Sequence, residues 1–270
     1  TIQPGASAIN GWSVDDGYDY IYLGNWNNKS VKWRVLSANG DTARSYQGGA
    51  GNTSTKSNAL FMLSDVELGQ TQFGNSNTKK WAGSTAEEWC NTFKTGALTK
   101  TEQLAVFTTV SKSGANGAKY NNIVYDKSYS NPIPSANIFF LTVVEANNSA
   151  YGFSDNDMRK VESNSWWLAS RAGKTGKGYF GTVSSDGAFQ STAANSSAGA
   201  RPALNLDKRQ VLFTSAADNS AHQNGLVTPI PYTGHEFKLT IKDRNTFADG
   251  AEIAEGYTPG FDILFMDVEM

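Results

Sequence analysis

The sequence predicts a mixed α+β fold, β-rich at both ends with helices in the middle. Three observations predict it. Residues 18–36 alternate apolar and polar side chains, the period of a half-buried strand. Three Ser/Thr-x-x-Glu capping boxes fall between residues 84 and 145. From residue 163 onward, short alternating runs return, separated by turn residues.

Each element follows in order. Tyr18-Asp19-Tyr20-Ile21-Tyr22-Leu23-Gly24 runs to Trp26, Asn27-Asn28 turns the chain, and Val31–Leu36 alternates again, so an N-terminal hairpin is expected. Residues 41–57 read as a loop, and Ala59–Leu63 as a buried strand. Ser84-Thr85-Ala86-Glu87 opens a helix with Ala86, Trp89, Cys90 and Phe93 on one face. Thr99 to Glu102 opens a second, short helix leading into Leu104–Val110. Thr142 to Glu145 follows the apolar run Ile138–Leu141, which suggests a strand passing into a helix. Asp155–Val161 reads as a short helical turn. Trp166–Ser170, Gly178–Ser184, Ala188–Thr192 and Ala203–Leu206 read as strands, with Ser185-Asp186-Gly187 as the hairpin turn between the second and third. After Asp207, the runs Val211–Phe213, Phe237–Ile241 and Phe261–Val268 suggest a β-rich appendage. The expected division is residues 1–207 and 208–270. Trp33, Trp89, Trp166 and Trp167 are assigned to the core.

Composition narrows the function classes. A chain of 270 residues with 39% hydrophobic and 12% aromatic side chains can build a substantial core. Lys plus Arg is 23 against 25 Asp plus Glu, so no long-range field draws in nucleic acid or an anionic membrane. The low charged fraction, 18%, and the 26 glycines resemble an extracellular β-rich protein. One cysteine excludes an intramolecular disulfide framework. No apolar run approaches the roughly 18 residues that span a membrane, so no membrane insertion is expected. No basic-plus-apolar leader follows Thr1, so a leader is expected to have been removed or never present.

The motifs that suggest chemistry have simpler readings. Cys90 shares the apolar helix face and reads as a core thiol. His222 and His235 lack metal-ligand spacing, so no metal site or histidine triad is expected. Gly173-Lys174-Thr175-Gly176-Lys177-Gly178 mimics a phosphate loop, but Leu168 stands where that motif needs its first glycine. Ser154-Asp155-Asn156-Asp157 lacks the glycine and distal glutamate of a calcium loop and reads as a helix cap. No cofactor is expected. Trp12, Trp26, Tyr46, Tyr120, Tyr125, Tyr129 and Tyr179 lie near expected loops or strand ends, where aromatics either pack or stack on a ligand.

What remains is the stretch Trp166–Leu206, two apolar ends around about 30 residues that are mostly Gly, Ser, Ala, Thr and Lys. Such a stretch suits surface display better than a catalytic cavity. If Tyr179, Val183 and Phe189 point inward, then Phe180, Thr182, Ser184, Gln190 and Thr192 point outward. Arg171 at the loop entrance, with Lys174 and Lys177 at the rim, completes the expected ligand-binding face.

The same stretch carries a resemblance. Trp166-Trp167-Leu168-Ala169-Ser170-Arg171, Ser185-Asp186-Gly187 and Gly199-Ala200-Arg201-Pro202-Ala203-Leu204-Asn205-Leu206 resemble the WWLRSP…SDG…GVRPALNL pattern of bacterial surface proteins of an uncharacterised domain type. Tyr20–Gly24, Lys32–Leu36, Leu63-Ser64-Asp65, the Ser84/Trp89/Phe93 helix, Phe140–Thr142 and Tyr151-Gly152-Phe153 also fit, as do Val211–Ala216 and Phe237–Thr240. The resemblance covers roughly residues 18–245. Ala169 and Arg171 depart from it, standing in place of Arg and Pro.

The resemblance implies a C-type-lectin-like fold, shared with formylglycine-generating enzymes and with the variable proteins of diversity-generating retroelements. In those variable proteins the segment before the closing anchor holds diversified ligand-binding residues. The formylglycine-generating chemistry needs paired reactive cysteines, and this chain has one. The Glu-Pro-Asn, Gln-Pro-Asp and Trp-Asn-Asp motifs of sugar-binding C-type lectins are absent from the sequence. The resulting expectation is a non-catalytic adhesin or receptor-binding protein on a bacterial surface or virion. Its partner would be a protein or glycan on another cell or host. An enzyme of the formylglycine-generating branch and a structural surface or pilus module stand as alternatives.

Overall fold

The computed structural model describes residues 18–40, 44–47, 58–111, 118–125, 133, 135–161, 164–173, 178–217 and 235–242. The fold is β-rich with few helices. In chain order it comprises β1 (Tyr20–Trp26), β2 (Lys29–Ser37), β3 (Arg44–Gln47), β4 (Ala59–Ser64), β5 (Gln70–Gln72), α1 (Thr85–Ala97), α2 (Lys100–Ala105), β6 (Thr108–Ser111), β7 (Lys119–Tyr120), β8 (Ile123–Val124) and β9 (Ile138–Phe139). There follow β10 (Trp166–Arg171), β11 (Tyr179–Val183), β12 (Phe189–Ala193), β13 (Ser197–Gly199), β14 (Ala203–Asp207), β15 (Val211–Ala216) and β16 (Glu236–Ile241). A seven-stranded sheet has the order β15-β16-β1-β2-β4-β14-β9, and a five-stranded sheet the order β12-β11-β10-β13-β5.

The expected N-terminal hairpin forms as β1 and β2. Asn27 and Asn28 both adopt positive φ, 51° and 62°, which is the backbone of a two-residue I′ turn. Asn tolerates that region because its short polar side chain bonds locally. Asn121 and Asn122 repeat the device at 47° and 61° between β7 and β8.

The three capping boxes differ in outcome. At Thr99 the box is complete: its Oγ1 accepts from Glu102 N at 3.2 Å and its N–H donates to the Glu102 carboxylate at 2.7 Å. At Ser84 the hydroxyl accepts from Glu87 N at 3.1 Å, while the Glu87 carboxylate accepts from Gly83 N instead. At Thr142 the expected helix is only a 3-10 turn, Glu145–Asn147, because Asn148 already breaks into extended backbone. Glu145 is buried there, with its carboxylate accepting from Thr142 N at 2.6 Å.

Helix α1 buries Ala86, Cys90, Phe93 and Ala97 against the sheets. Trp33, Trp166 and Trp167 are core, as expected; Trp89 is only half-buried, at the rim of the helix's apolar face. Trp33 satisfies its indole by donating to Leu23 O at 2.8 Å, so a ring of this size adds its full apolar burial without an orphaned N–H.

The sheet does not break at residue 207. β15 pairs with β16, and β16 adds to β1 in parallel, with Tyr20 facing Glu236. Tyr20 N donates to His235 O at 2.7 Å, His235 Nδ1 lies 3.0 Å from Asp19 Oδ1, and Lys32 Nζ lies 2.6 Å from Glu236 Oε1. Residues 211–216 and 236–241 therefore extend the first sheet. The expected strand Phe261–Val268 lies outside the described residues, as do Trp12, Tyr129 and His222. Among the described residues no helix is long and apolar enough to cross a membrane.

Candidate ligand-binding surface

The two ends of the 166–206 stretch are joined in the five-stranded sheet. β10 pairs antiparallel with β11, Trp166 opposite Val183 and Trp167 opposite Thr182, and Trp166 bridges in parallel to Gly199 of β13. β11 then pairs with β12 around the expected turn, Tyr179 opposite Ala193 through Val183 opposite Phe189.

Both faces of this sheet are covered, which corrects the expected orientation of half the site. On one face Phe180 stacks on Phe73, ring centroids 3.5 Å apart, and Phe73 meets Trp167 and Trp81 edge-on at 5.6 and 5.9 Å. On the other, Tyr125 is buried and donates its hydroxyl to Gln190 O at 3.1 Å; Tyr120 packs on Phe189 at 5.4 Å, and the Arg159 guanidinium sits over the same ring at 4.5 Å. A strand covered on both sides is buried along its length, whatever its alternation suggests.

Phe180, Thr182 and Ser184 are accordingly buried, not outward, and Arg171 is buried as well. Thr182 Oγ1 lies 2.7 Å from Thr192 Oγ1, so its hydroxyl is paired within the sheet. Ser184 holds the turn: its hydroxyl contacts the Asp186 carboxylate and lies 2.9 Å from Ala188 O. The Ser184 hydroxyl and the Ala188 N–H together hold the Asp186 carboxyl below the usual range. Phe189 and Val183 are inward as expected; Tyr179 is half-buried. Lys174 and Lys177 lie outside the described residues.

Of the expected face, Gln190 is exposed and Thr192 half-exposed. Ser191 and Ala193 are half-exposed beside them, and Ser185, Asp186 and Asn195 are exposed. These residues lie on β12, the outermost strand of its sheet, and on the turns at its two ends.

The hairpin is fixed by residues that sequence reading missed. Gly187 has φ +79°, and a Cβ there would fall 1.8 Å from Asn156 O; only glycine fits that turn against the 153–160 segment. Arg159, buried, donates from Nε to Gly187 O at 2.9 Å and also contacts the Asn156 side chain. Its own carbonyl accepts from Trp166 Nε1 at 3.1 Å. Asn121 Nδ2 donates to Phe189 O at 3.1 Å. At the far end Gly178 N donates to Ser76 O at 3.0 Å and Gly74 N to Ala194 O at 3.0 Å. The Asp155 cap was legible, and its Oδ1 does accept from Met158 N at 3.1 Å; nothing local showed that the turn after it would clamp a hairpin 28 residues on.

Cys90 is buried, and burial pushes its thiol pKa well up. Among the described residues no cluster of His, Cys, Asp and Glu is arranged to hold a metal.

Comparison with known proteins adds one match. Residues 57–208 match the family model described as Domain of unknown function (DUF6273), a span from just before β4 to just past β14 that includes both anchors and the hairpin. Neither the curated proteins nor the solved structures gave a match. With more than half its length in that match, the chain belongs to the DUF6273 family.

Proposed function

We propose that this is a non-catalytic ligand-binding protein, an adhesin or receptor-binding protein of a bacterial surface or virion, built on a C-type-lectin-like scaffold. It presents the β12 edge, with Gln190 and Thr192 at its centre, to a protein or glycan on another cell or host. One observation carries the reading: the β11–β12 hairpin is clamped by Arg159, Asn121 and Tyr125, while on its outer strand Gln190 is exposed and Thr192 half-exposed. An edge held in one conformation loses little entropy on binding, and that favours affinity. The buried, protonated Cys90 thiol argues against formylglycine-type chemistry, which needs a reactive thiolate.

The test is a screen of the full chain against arrayed glycans and cell-surface proteins, repeated with a Gln190→Arg, Thr192→Arg double variant. Loss of the wild-type hit in the double variant supports the reading; undiminished binding overturns it. Diversification by a retroelement would concentrate substitutions among sibling sequences between Trp167 and Gly199. An even scatter along the chain would remove that part of the proposal.

A further inference from the structure

The β12 edge offers a ligand its backbone as well as its side chains. β12 is the outermost strand of its sheet, and its pairing with β11 decides which way each peptide group points. Ser184 N donates to Ala188 O and Ala194 N donates to Gly178 O, both at 2.9 Å. In an antiparallel pair, directly bonded partners of this kind alternate with partners that exchange no hydrogen bond. Phe180 stands opposite Thr192 and Thr182 opposite Gln190, so Gln190 and Thr192 bond to β11. The N–H and C=O groups of Phe189, Ser191 and Ala193 point the other way, off the sheet.

The carbonyls at the two ends are capped within the protein. Phe189 O accepts from Asn121 Nδ2 at 3.1 Å, and Ala193 O accepts from Ser196 N at 2.9 Å. The Ser191 N–H and C=O and the N–H groups of Phe189 and Ala193 have no partner among the described residues. Sheet edges are commonly shielded by charge, proline or a bulge. β12, Phe-Gln-Ser-Thr-Ala, has no charged residue and no proline, and its register with β11 is continuous. Ser191 itself is half-exposed.

Donors and an acceptor repeating every second residue match the main chain of another strand. A ligand residue opposite Ser191 would exchange both hydrogen bonds with it. The ligand carbonyls two residues to either side would accept from Phe189 N–H and Ala193 N–H. We infer that the β12 edge captures an extended segment of another protein as an added antiparallel strand centred on Ser191. The inference rests on the reading of the β12 edge as the binding face, and narrows its ligand to a polypeptide. A second copy of this chain fits less well. Two β12 strands paired about Ser191 would aim the Phe189 and Ala193 N–H groups at the Ala193 and Phe189 carbonyls of the other copy, which are already engaged. A foreign segment brings uncommitted carbonyls to those positions.

The experiment selects displayed random peptides of about nine residues, within the usual range of strand lengths, on the full chain. The best selected peptide is titrated by calorimetry together with its single N-methyl variants. N-methylation should weaken binding by roughly tenfold at alternate peptide residues and leave the residues between them unaffected. Amide hydrogen exchange at Ser191 and Ala193 should be fast in the free protein and slow with peptide bound, while Thr192 is slow in both. Ser191→Pro removes an N–H that β11 does not use, at an edge position where proline is tolerated, and should also cost roughly tenfold. No saturable peptide, N-methyl effects without alternation, or Ser191 exchange unmoved by peptide overturns the inference. So does a self-associated chain in which Ser191 is already protected. Glycan binding that is lost in the Gln190→Arg, Thr192→Arg variant, with no peptide bound, would overturn this inference and leave the β12 reading standing. A peptide that binds that variant undiminished would remove both.

Discussion

The guanidinium of Arg201 lies over the indole of Trp166, its central carbon 4.9 Å from the ring centroid. Two residues from opposite ends of the display stretch thus meet in the core. Arg201 is fully buried and donates from Nε to Ser64 O at 2.8 Å and from Nη2 to Asp65 O at 3.1 Å. Burial first, and then the neighbouring Arg34, lowers its pKa, with Asp65 acting the other way. Planar bonding to two successive carbonyls plus stacking on an indole is a task lysine cannot perform. Arg201→Lys and Arg201→Ala should both destabilise, the alanine by about 3–5 kcal/mol, read from urea denaturation midpoints. A loss under 1 kcal/mol for alanine would remove Arg201 as an anchor.

Gly187→Ala should be among the costliest single-methyl changes in the chain. The new Cβ meets Asn156 O and the φ is positive, so a cost of more than about 2 kcal/mol is expected. Hydrogen exchange at Ala188 N, which is bonded to the Asp186 carboxylate at 3.2 Å, should accelerate along with the loss. Wild-type exchange there would mean the turn does not depend on its docking.

Phe180→Ala and Gln190→Ala should separate core from surface within one hairpin. The first removes a ring stacked on Phe73 and should cost about 3–5 kcal/mol. The second removes an exposed side chain and should stay within about 0.5 kcal/mol. Thermal or chemical denaturation of the two variants side by side decides it; similar costs would contradict the two-sided cover.

Cys90 makes stability fall at alkaline pH. The unfolded thiol ionises near pH 8.5, whereas burial keeps the folded one protonated well above that. The contribution is intact below the unfolded pKa and declines as pH rises past it, because the unfolded chain then binds fewer protons. The slope approaches about 1.4 kcal/mol per pH unit. Cys90→Ala should flatten that part of the profile between pH 9 and 10 relative to wild type, whatever its cost at neutral pH. Identical slopes would place the thiol in water.

Thr99→Ala should cost about 1 kcal/mol by removing the complete capping box of α2. Ser84→Ala should cost a similar amount at α1. Circular dichroism melts of the two variants provide the measurement.

Elements held by local chemistry were legible in the sequence. Asn27-Asn28 specified the first hairpin, Thr99 and Glu102 the second helix, and Ser185-Asp186-Gly187 the display turn, because each signal acts within a few residues. What escaped was set by distant partners. Alternation along β11 implied one wet face, yet Phe73 and Tyr125 arrive from far earlier in the chain to close both sides. The same alternation correctly turned Gln190 outward and Phe189 inward, since β12 has a neighbouring strand on only one side. Arg159 was passed over because a lone arginine in a polar turn carries no local mark of its bond to Gly187. The parallel addition of β16 to β1 was equally silent; strand pairing across more than 200 residues leaves no periodic trace.

That last pairing has a mechanical consequence. β1 is the first and β16 the last of the described strands, and the two run in the same direction. Opposed forces applied at Tyr18 and at Lys242 would pull the paired strands from opposite ends. Such a load slides one strand along the other and stresses the whole ladder at once, together with the Lys32–Glu236 clasp, rather than unzipping it bond by bond. A protein held at one terminus and dragged through flow by the other would resist tearing in that geometry.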